Sequence, residues 1–352
     1  MPDDLLALLF DLMRLPGIPG RETAVADRLQ AAWAPLADEI RRTPAGSLHV
    51  IRHGKGKKPR PSVLLTAHMD AIGMVVAEVE GAFLRVGSAG TFSTEILPGQ
   101  RVLIHGRRPI PGIVVQPPDH CLPPNRDEGS VPLGAFLVDT GLSPRQLQSQ
   151  VRIGDPITFD RMPIHMGDGV VAGPALDNRA GLAALTLALQ SLDRSGHTWD
   201  LVAAGLVQKE IGSLGARTST HAARPTLAIV IDTTYGRSHA EAEHRTFPLG
   251  AGPSNGWGPA VHPAIHERLR LAAEHLEIPL TLEPMPWTSE SDADVLQIAG
   301  AGVPTGCIFI PVRYMHSPVE MVDVEDIRRT GTLVAEFVRG LGDAAGRFLE
   351  QG

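Results

Sequence analysis

Apolar residues recur at two different spacings along the chain, and the two spacings predict two kinds of element. Helical spacing near the N-terminus predicts an amphipathic helix that presents Leu5, Leu8, Leu9 and Leu12. Apolar runs of strand length end in polar residues in "PSVLLTAHMD", "LVAAGLVQKE" and "LAIVIDTT". Helical patterns lie between or after these runs, in "NRAGLAALTLALQSL", "HPAIHERLRLAAEHL" and "VEDIRRTGTLVAEFVRGL". Strands that alternate with helices predict an α/β domain, with a mainly parallel sheet flanked by helices.

The segment 72–164 has a different pattern. It is rich in Gly and Pro and contains short β-type runs with almost no helical periodicity, among them "GMVVAEVE", "QRVLIHG" and "DPITFD". This pattern predicts a small, barrel-like β domain inserted into the α/β domain. We therefore expect a discontinuous α/β domain made of residues 1–71 and 165–352.

Composition narrows the class of protein. The net charge is −7 and aromatic residues make up 4% of the 352 residues, so a nucleic-acid partner is not expected. No apolar run reaches the ~20 residues that span a bilayer, so no membrane partner is expected either. The first residues lack the basic segment of a signal peptide. The chain has two cysteines, Cys121 and Cys307, which are far apart in sequence and are expected to be reduced thiols. Because reduced thiols are typical of the cytosol, we expect a cytoplasmic protein.

Polar side chains recur where the apolar runs end. They are His68 and Asp70 in "TAHMDAIG", Asp177 in "GPALDNRAG", Glu210 in "VQKEIG", Asp232 in "IVIDTT" and His316 in "RYMHSPVEMV". Ligands bind beyond the carboxyl ends of the strands in an open α/β sheet, so these residues are expected to converge there.

Histidines and carboxylates together suit divalent ions such as zinc, cobalt or manganese. Two neighbouring ions need a bridging carboxylate, for which Asp177 is the candidate, and each ion needs at least one further ligand. Asp70 is placed to hold the second ring nitrogen of His68. Each residue also has an ordinary interpretation: Asp177 as a helix cap, Asp232 as a turn residue and His316 as a loop histidine. Five such positions in one architecture favour the metal site.

At this point the sequence resembles a known family. The ordered motifs "AHMDAIGMVV", "ALDNRAG", "QKEIGSLGA", "IDTT" and "VRYMHSPVEMVDVEDI" look like those of the tetrahedral (TET-type) dinuclear metallo-aminopeptidases, which include glutamyl and leucyl aminopeptidases. The resemblance covers essentially the whole chain. It implies a zinc-exopeptidase-like α/β domain that removes N-terminal residues from peptides with water activated by two metal ions. It also implies that the inserted β domain mediates dimerisation and assembly, often to a dodecamer.

The resemblance further implies a role for each site residue. One divalent ion, zinc or cobalt, would take His68 and Asp232, and a second would take Glu210 and His316. Asp177 would bridge the two ions, and Asp70 would orient His68.

Three positions depart from the family pattern. Lys209 stands where the family has the glutamate that serves as general base, Asn178 replaces an aspartate and Ala71 replaces a glutamate. If all three faced the ions, the site would carry up to four more positive charges than the family pattern. Four interpretations of Lys209 remain open. It could act as a base with a lowered pKa, or its ammonium group could bind an anionic group. It could instead be carbamylated, or the site could have no general base. Glu290 or Asp292 in "TSESDADVLQ" is a candidate substitute carboxylate, although Ser291 or Asp292 also suits a helix cap.

Three functional hypotheses follow. The first is a metallo-aminopeptidase, slow or with an unusual base at Lys209. The second is a metal-dependent hydrolase of another amide, ester or acyl substrate. The third is a metal-binding assembly subunit of low catalytic activity.

Overall fold

The computed structural model describes residues 2–118, 120, 131–192, 197–239 and 245–342. Its α-helices are α1 (Pro2–Arg14), α2 (Thr23–Trp33), α3 (Pro144–Gln150), α4 (Leu176–Ser191), α5 (Leu214–Ala223), α6 (Pro263–His275), α7 (Ala293–Leu296) and α8 (Val324–Arg339).

The strands fall into a sheet and a barrel. Those of the sheet are β1 (Glu39–Arg42), β2 (Leu48–Arg52), β3 (Ser62–His68), β10 (Ile164–Met166), β11 (Val170–Gly173), β12 (Asp200–Leu206), β13 (Leu227–Tyr235), β14 (Ser254–Trp257), β15 (Thr281–Pro284), β16 (Thr305–Arg313) and β17 (Glu320–Asp323). Those of the barrel are β4 (Gly73–Glu80), β5 (Phe83–Ala89), β6 (Arg101–His105), β7 (Pro109–Val115), β8 (Leu137–Asp139) and β9 (Pro156–Phe159).

The sheet is parallel at its centre and antiparallel towards its edges. Its main path runs β1-β2-β12-β3-β13-β16-β17-β11-β10, while β14 joins β16 and β15 joins β14. Strands β12, β3, β13 and β16 are parallel neighbours, whereas β2 and β17 join this group antiparallel. The predicted parallel arrangement therefore holds for the strands whose carboxyl ends carry the candidate ligands.

Alternate residues of the central strands pack into two separate cores, as the two-residue period of a strand requires. On one face, residues such as Leu65 and Ile229 pack with α1, α2, α4, α6 and α8. On the other face, residues such as Leu64 and Val230 pack with α5 and α7. Because both faces are covered, the polar side chains at the strand ends are held on a rigid frame.

The inserted β domain closes into a barrel in the order β4-β5-β8-β7-β6-β9, which confirms the predicted barrel-like insertion. Its interior is filled by aliphatic side chains that include Leu84, Ile104 and Val138. The short helix α3 was missed by the sequence analysis. A capping box between Ser143 and Gln146 marks its start, with Pro144 at the first helical position.

Within the described part of the chain, no helix has both the length and the apolar character that membrane crossing requires. Cys307 is a free, buried thiol whose pKa is raised by burial. Residues 121–130, which include Cys121, lie outside the described residues.

Strand β2 carries a histidine that makes the fold sensitive to acid. Burial, together with the nearby Arg41 cation, lowers the pKa of the His49 imidazole from 6.5 to about 4. The unfolded chain therefore takes up this proton at a higher pH than the folded protein does. His49 does not change the free energy of unfolding at pH values above its pKa in the unfolded chain. As the pH falls from that value towards 4, His49 lowers the free energy of unfolding.

We expect His49 to lower the free energy of unfolding by about 2 kcal/mol between pH 8 and pH 5. Urea unfolding of the wild type and of His49→Gln gives the free energy of unfolding of each protein at pH 8 and at pH 5. The wild type should lose about 2 kcal/mol more than His49→Gln between these two pH values. Equal pH dependence in the two proteins would contradict the assignment.

Candidate metal centre

His68, the last residue of β3, faces two carboxylates. Its Nδ1 donates a hydrogen bond to the backbone carbonyl of Asp70 at 3.0 Å, which fixes the ring. Its Nε2 lies 3.1 Å from Asp177 Oδ1 and 3.4 Å from Asp232 Oδ1. Burial and the Lys209 cation lower the pKa of His68, but the two carboxylates outweigh them and hold it well above its usual range.

Asp177 is shared between two groups of potential ligands. Its Oδ1 accepts a hydrogen bond from the Thr233 hydroxyl at 2.8 Å and faces His68, while its Oδ2 lies 3.2 Å from His316 Nε2. Although Asp177 belongs to the first turn of α4, its backbone is not helical, with φ −80° and ψ 103°. Ala175 occupies the N-cap position of α4, and no side chain caps the helix. The Asp177 carboxylate faces the two histidines instead.

Two sets of side chains therefore meet at Asp177. One contains His68, Asp177 and Asp232, and the other contains Asp177, Glu210 and His316; within each set the ligand atoms lie within 4.8 Å of one another. All five ligand positions predicted from the sequence are thus brought together at the carboxyl edge of the sheet.

The second set holds buried polar atoms whose hydrogen-bonding capacity is not used. Within the described residues, Asp177 Oδ2, Glu210 Oε1 and His316 Nε2 are buried and make no hydrogen bond. Buried unsatisfied polar atoms are costly, and a divalent cation would satisfy all three. Imidazole and carboxylate donors are also the set that zinc, cobalt and manganese accept. The residues present therefore fit divalent ions.

The charges of the second set also suit a divalent cation. Burial and the adjacent Asp177 carboxylate raise the pKa of Glu210 to about 7. Burial lowers the pKa of His316, but the adjacent carboxylates of Asp177 and Glu210 raise it to about 9. Metal binding therefore has to displace protons from this set, as is usual for such ligands.

Glu320 supports two ligands at once and was missed by the sequence analysis. It is 1% exposed, and its carboxylate accepts hydrogen bonds from the backbone N–H groups of Asp177 at 3.0 Å and His316 at 2.9 Å. Burial and the Asp177 carboxylate raise the pKa of Glu320 to about 8. The available signal was an acidic residue on the inward face of the apolar strand "EMVD", directly after the His316 loop.

Asn178, one of the departures from the family pattern, orients a ligand. Its Nδ2 donates hydrogen bonds to Asp232 Oδ1 at 3.2 Å and to the Ile231 carbonyl at 2.8 Å. Its Oδ1 accepts one from the Gly181 N–H at 2.9 Å. The Asn178 amide therefore donates a hydrogen bond to the Asp232 carboxylate. An ionised aspartate at position 178 has no hydrogen to donate and would repel Asp232.

Asp70 was expected to orient His68 through its side chain. The structure instead brings the backbone carbonyl of Asp70 to His68 Nδ1, while Asp70 Oδ1 lies 3.7 Å from that nitrogen. The Asp70 carboxylate accepts hydrogen bonds from the backbone N–H groups of Lys209 at 3.0 Å and Glu210 at 2.9 Å. Asp70 thus fixes both His68 and the segment that carries Glu210.

The Lys209 side chain enters the carboxylate cluster. Its Nζ lies 4.0 Å from Asp177 Oδ2, and the side chain is 13% exposed. Burial lowers the pKa of Lys209, but the carboxylates of Asp232, Asp177 and Glu210 outweigh it and raise that pKa well above its usual range. In the metal-free protein, Lys209 is therefore an ammonium group.

The remaining candidates occupy different places. Ala71 lines a separate cavity of about 130 Å³, with Gly17 and Arg179 on its wall. The Ser291 hydroxyl accepts a hydrogen bond from Ala293 N–H at 3.2 Å, as a helix cap does. Asp292 immediately precedes α7 but makes no side-chain cap; it is buried, and burial raises its pKa to about 6.

A cleft of about 330 Å³ opens beside the ligand cluster. Lys209, Asp232 and His316 lie in its wall, together with Glu283 and the exposed Trp287. Histidine and carboxylate ligands at a sheet edge, next to a cleft of this size, define a candidate metal-dependent hydrolase.

Comparison with known proteins identifies the family. Residues 46–333 match the model of the M42 glutamyl aminopeptidase family. The chain therefore belongs to the M42 family of metal-dependent aminopeptidases.

Individual relatives agree with this assignment. The chain is 32% identical to a lysyl aminopeptidase of Pyrococcus furiosus, over 95% of this chain and 96% of that protein. Its structure resembles that of a TET aminopeptidase from a thaumarchaeon of marine sediment, with a TM-score of 0.90, 27% identity and coverage of 98% and 100% of the two chains. A TET1 peptidase of Pyrococcus horikoshii, which can assemble into a tetrahedron or a large octahedral shell, shares the fold at a TM-score of 0.82 and 23% identity, over 95% of this chain and 99% of that one.

Proposed function

We propose that this chain is an aminopeptidase that binds two divalent metal ions, zinc or cobalt. His68 and Asp232 hold one ion, Glu210 and His316 hold the other, and Asp177 bridges them. The observation that carries the proposal is the membership of Asp177 in both ligand groups. When bound, the two ions supply Lewis acidity towards a peptide carbonyl and acidify a water molecule.

The surrounding residues hold these ligands in place. Asp70 fixes the Lys209–Glu210 backbone, Glu320 fixes the backbones of Asp177 and His316, and Asn178 fixes the Asp232 carboxylate. Such supporting contacts are worth about 10- to 100-fold in metal affinity or activity.

Lys209 occupies the position of the family's general base. We propose that it remains an ammonium group beside Asp177, where its charge offsets the crowded carboxylates. An ammonium group has no electron pair with which to accept a proton. Turnover is then slow, because losing a general base costs about 10²- to 10⁴-fold.

The quaternary structure follows the same proposal. Each subunit has a catalytic domain formed by residues 1–71 and 165–352 and an inserted domain formed by residues 72–164. The inserted domain mediates dimerisation, and the dimers assemble to a dodecamer. The TET1 peptidase of the same fold, which can assemble into a tetrahedron or a large octahedral shell, supports the assembly of this chain into an oligomer. A cytoplasmic location stays a prediction from the sequence.

The proposed function is tested with paired substrates that differ only at the N-terminus. We expect the metal-loaded protein to cleave aminoacyl-p-nitroanilides with a free α-amino group, to lose this activity with a chelator and to regain it with zinc or cobalt. Cleavage of N-acetylated substrates alone would instead identify a different amide hydrolase. No cleavage of either series by metal-loaded protein would favour an assembly subunit.

A further inference from the structure

The cleft beside the ligand cluster contains a carboxylate that the proposed reaction does not use. Glu283, on β15, lines this cleft. Its Oε1 accepts a hydrogen bond from the Thr234 hydroxyl at 2.7 Å, and its Oε2 accepts one from the Ser254 hydroxyl. Both hydroxyl groups belong to buried residues, so two buried side chains hold the carboxylate in one orientation.

This carboxylate has no counter-ion within the protein. Among the described residues, Glu283 forms no ion pair. Burial raises the pKa of its carboxyl group, and the charged group that acts on this pKa is another carboxylate, that of Asp232, which raises it further. Lys209 and Arg245 line the same cleft, but the Lys209 ammonium contacts Asp177 instead. Enclosing an unpaired carboxylate is costly, and a cation supplied by the ligand would offset that cost.

The position of Glu283 suits the side chain of a substrate's first residue. Thr234, which holds Glu283, follows Asp232 by two residues on β13, so both side chains lie on the same face of the strand. Two residues of a strand advance by about 7 Å, which is comparable with the reach of an extended lysine side chain. Thr234, which holds the Glu283 carboxylate, therefore lies about one long side chain along the strand from the ligand Asp232.

The wall of the cleft suits the stem of such a side chain. Phe247, Met285 and Phe309 line the cleft and are largely buried, at 7%, 7% and 2% exposure. Lysine and arginine bury their methylene stems against surfaces of this kind while the charged head finds a polar partner.

We propose that Glu283 is a specificity-determining residue that selects substrates with a cationic N-terminal residue, lysine or arginine. This inference rests on the proposed aminopeptidase function, because it places the first side chain of the substrate in this cleft. The Glu283 carboxylate pairs with the ammonium or guanidinium group at the end of that side chain.

The test compares kcat/KM for lysyl-, arginyl-, methionyl- and glutamyl-p-nitroanilide. Lysyl and arginyl substrates are expected to exceed methionyl by about 10- to 100-fold, the range of a charge-assisted hydrogen bond. Glu283→Gln is expected to remove this preference, because it lowers kcat/KM for the lysyl and arginyl substrates much more than for the methionyl substrate, while Glu283→Asp retains part of it. Glu78→Gln, at an exposed position on the barrel, is the matched control and should change nothing.

Three outcomes would overturn the assignment. The first is a preference of the wild type for glutamyl or methionyl substrates. The second is an unchanged preference for lysine in Glu283→Gln. The third is an equal loss of kcat/KM on all substrates in Glu283→Gln, which would indicate that Glu283 binds the α-ammonium group or has a structural role.

Binding of L-lysine amide and L-norleucine amide, measured by calorimetry, separates this inference from the proposed function. Tighter binding of the lysine amide that is lost in Glu283→Gln would support the cleft assignment even without turnover. Equal binding of the two amides would reject it. Circular dichroism melts establish that Glu283→Gln and Glu283→Asp are folded.

Discussion

Replacing Lys209 by Glu is expected to raise kcat for aminoacyl substrates by about 10²- to 10⁴-fold in the metal-loaded protein, the usual contribution of a general base. The Lys209 backbone is already fixed by Asp70, and its side chain extends to within 4.0 Å of Asp177 Oδ2. A glutamate at this position therefore places a proton acceptor beside the two proposed ions. The two dications would offset the added negative charge among the carboxylates.

Lys209→Gln is the control for charge, since glutamine removes the ammonium group without supplying a base. We expect Lys209→Gln to stay close to the wild-type rate while Lys209→Glu exceeds it. Stopped assays at matched metal content measure both variants. A rate below wild type in both variants would show that the Lys209 amine itself takes part in the reaction.

Replacing Asp177 by Ala is expected to lower kcat/KM by about 10³-fold or more. Asp177 is the residue common to both ligand groups, so its loss removes a ligand from each proposed ion. Metal ions supply several kcal/mol of transition-state stabilisation, and each 1.4 kcal/mol corresponds to about a factor of ten. The effect should therefore exceed that of losing any single supporting contact.

Asp168→Ala controls for the loss of an aspartate at an exposed position away from the cluster, and it should leave the rate unchanged. Thermal unfolding followed by circular dichroism establishes that Asp177→Ala is folded. An Asp177→Ala protein that keeps most of its activity would contradict the bridging role.

The sequence predicts the parts of the site that follow from residue type and strand position. His68 ends a central strand, Asp232 lies on the next parallel strand, and Glu210 and His316 follow two others. Strand ends in a parallel sheet converge, so an apolar run followed by a histidine or carboxylate carries enough information to place these residues.

Contacts to backbone groups are harder to predict. Glu320 acts through the N–H groups of Asp177 and His316, and the Asp70 carboxylate acts through those of Lys209 and Glu210. Every residue except proline carries such an N–H group, so residue types alone do not reveal which of them a carboxylate will meet.

The charge of the site shows the same limit. Ala71, Asn178 and Lys209 differ from the family pattern, and together they would make the site more positive by at most four charges. In the structure Ala71 lines a separate cavity and Asn178 hydrogen-bonds Asp232, while Lys209 lies within the carboxylate cluster. The sequence also did not single out Glu283, because its role depends on Thr234 and Ser254, which come from two other strands.

The most direct test of the two-ion site is the amount of metal bound per chain. Inductively coupled plasma mass spectrometry of protein loaded with zinc or cobalt and then freed of excess metal is expected to find two ions per wild-type chain. In Asp177→Ala it should find fewer than two. One ion or none in the fully loaded wild type, or two retained in Asp177→Ala, would contradict a two-ion site bridged by Asp177.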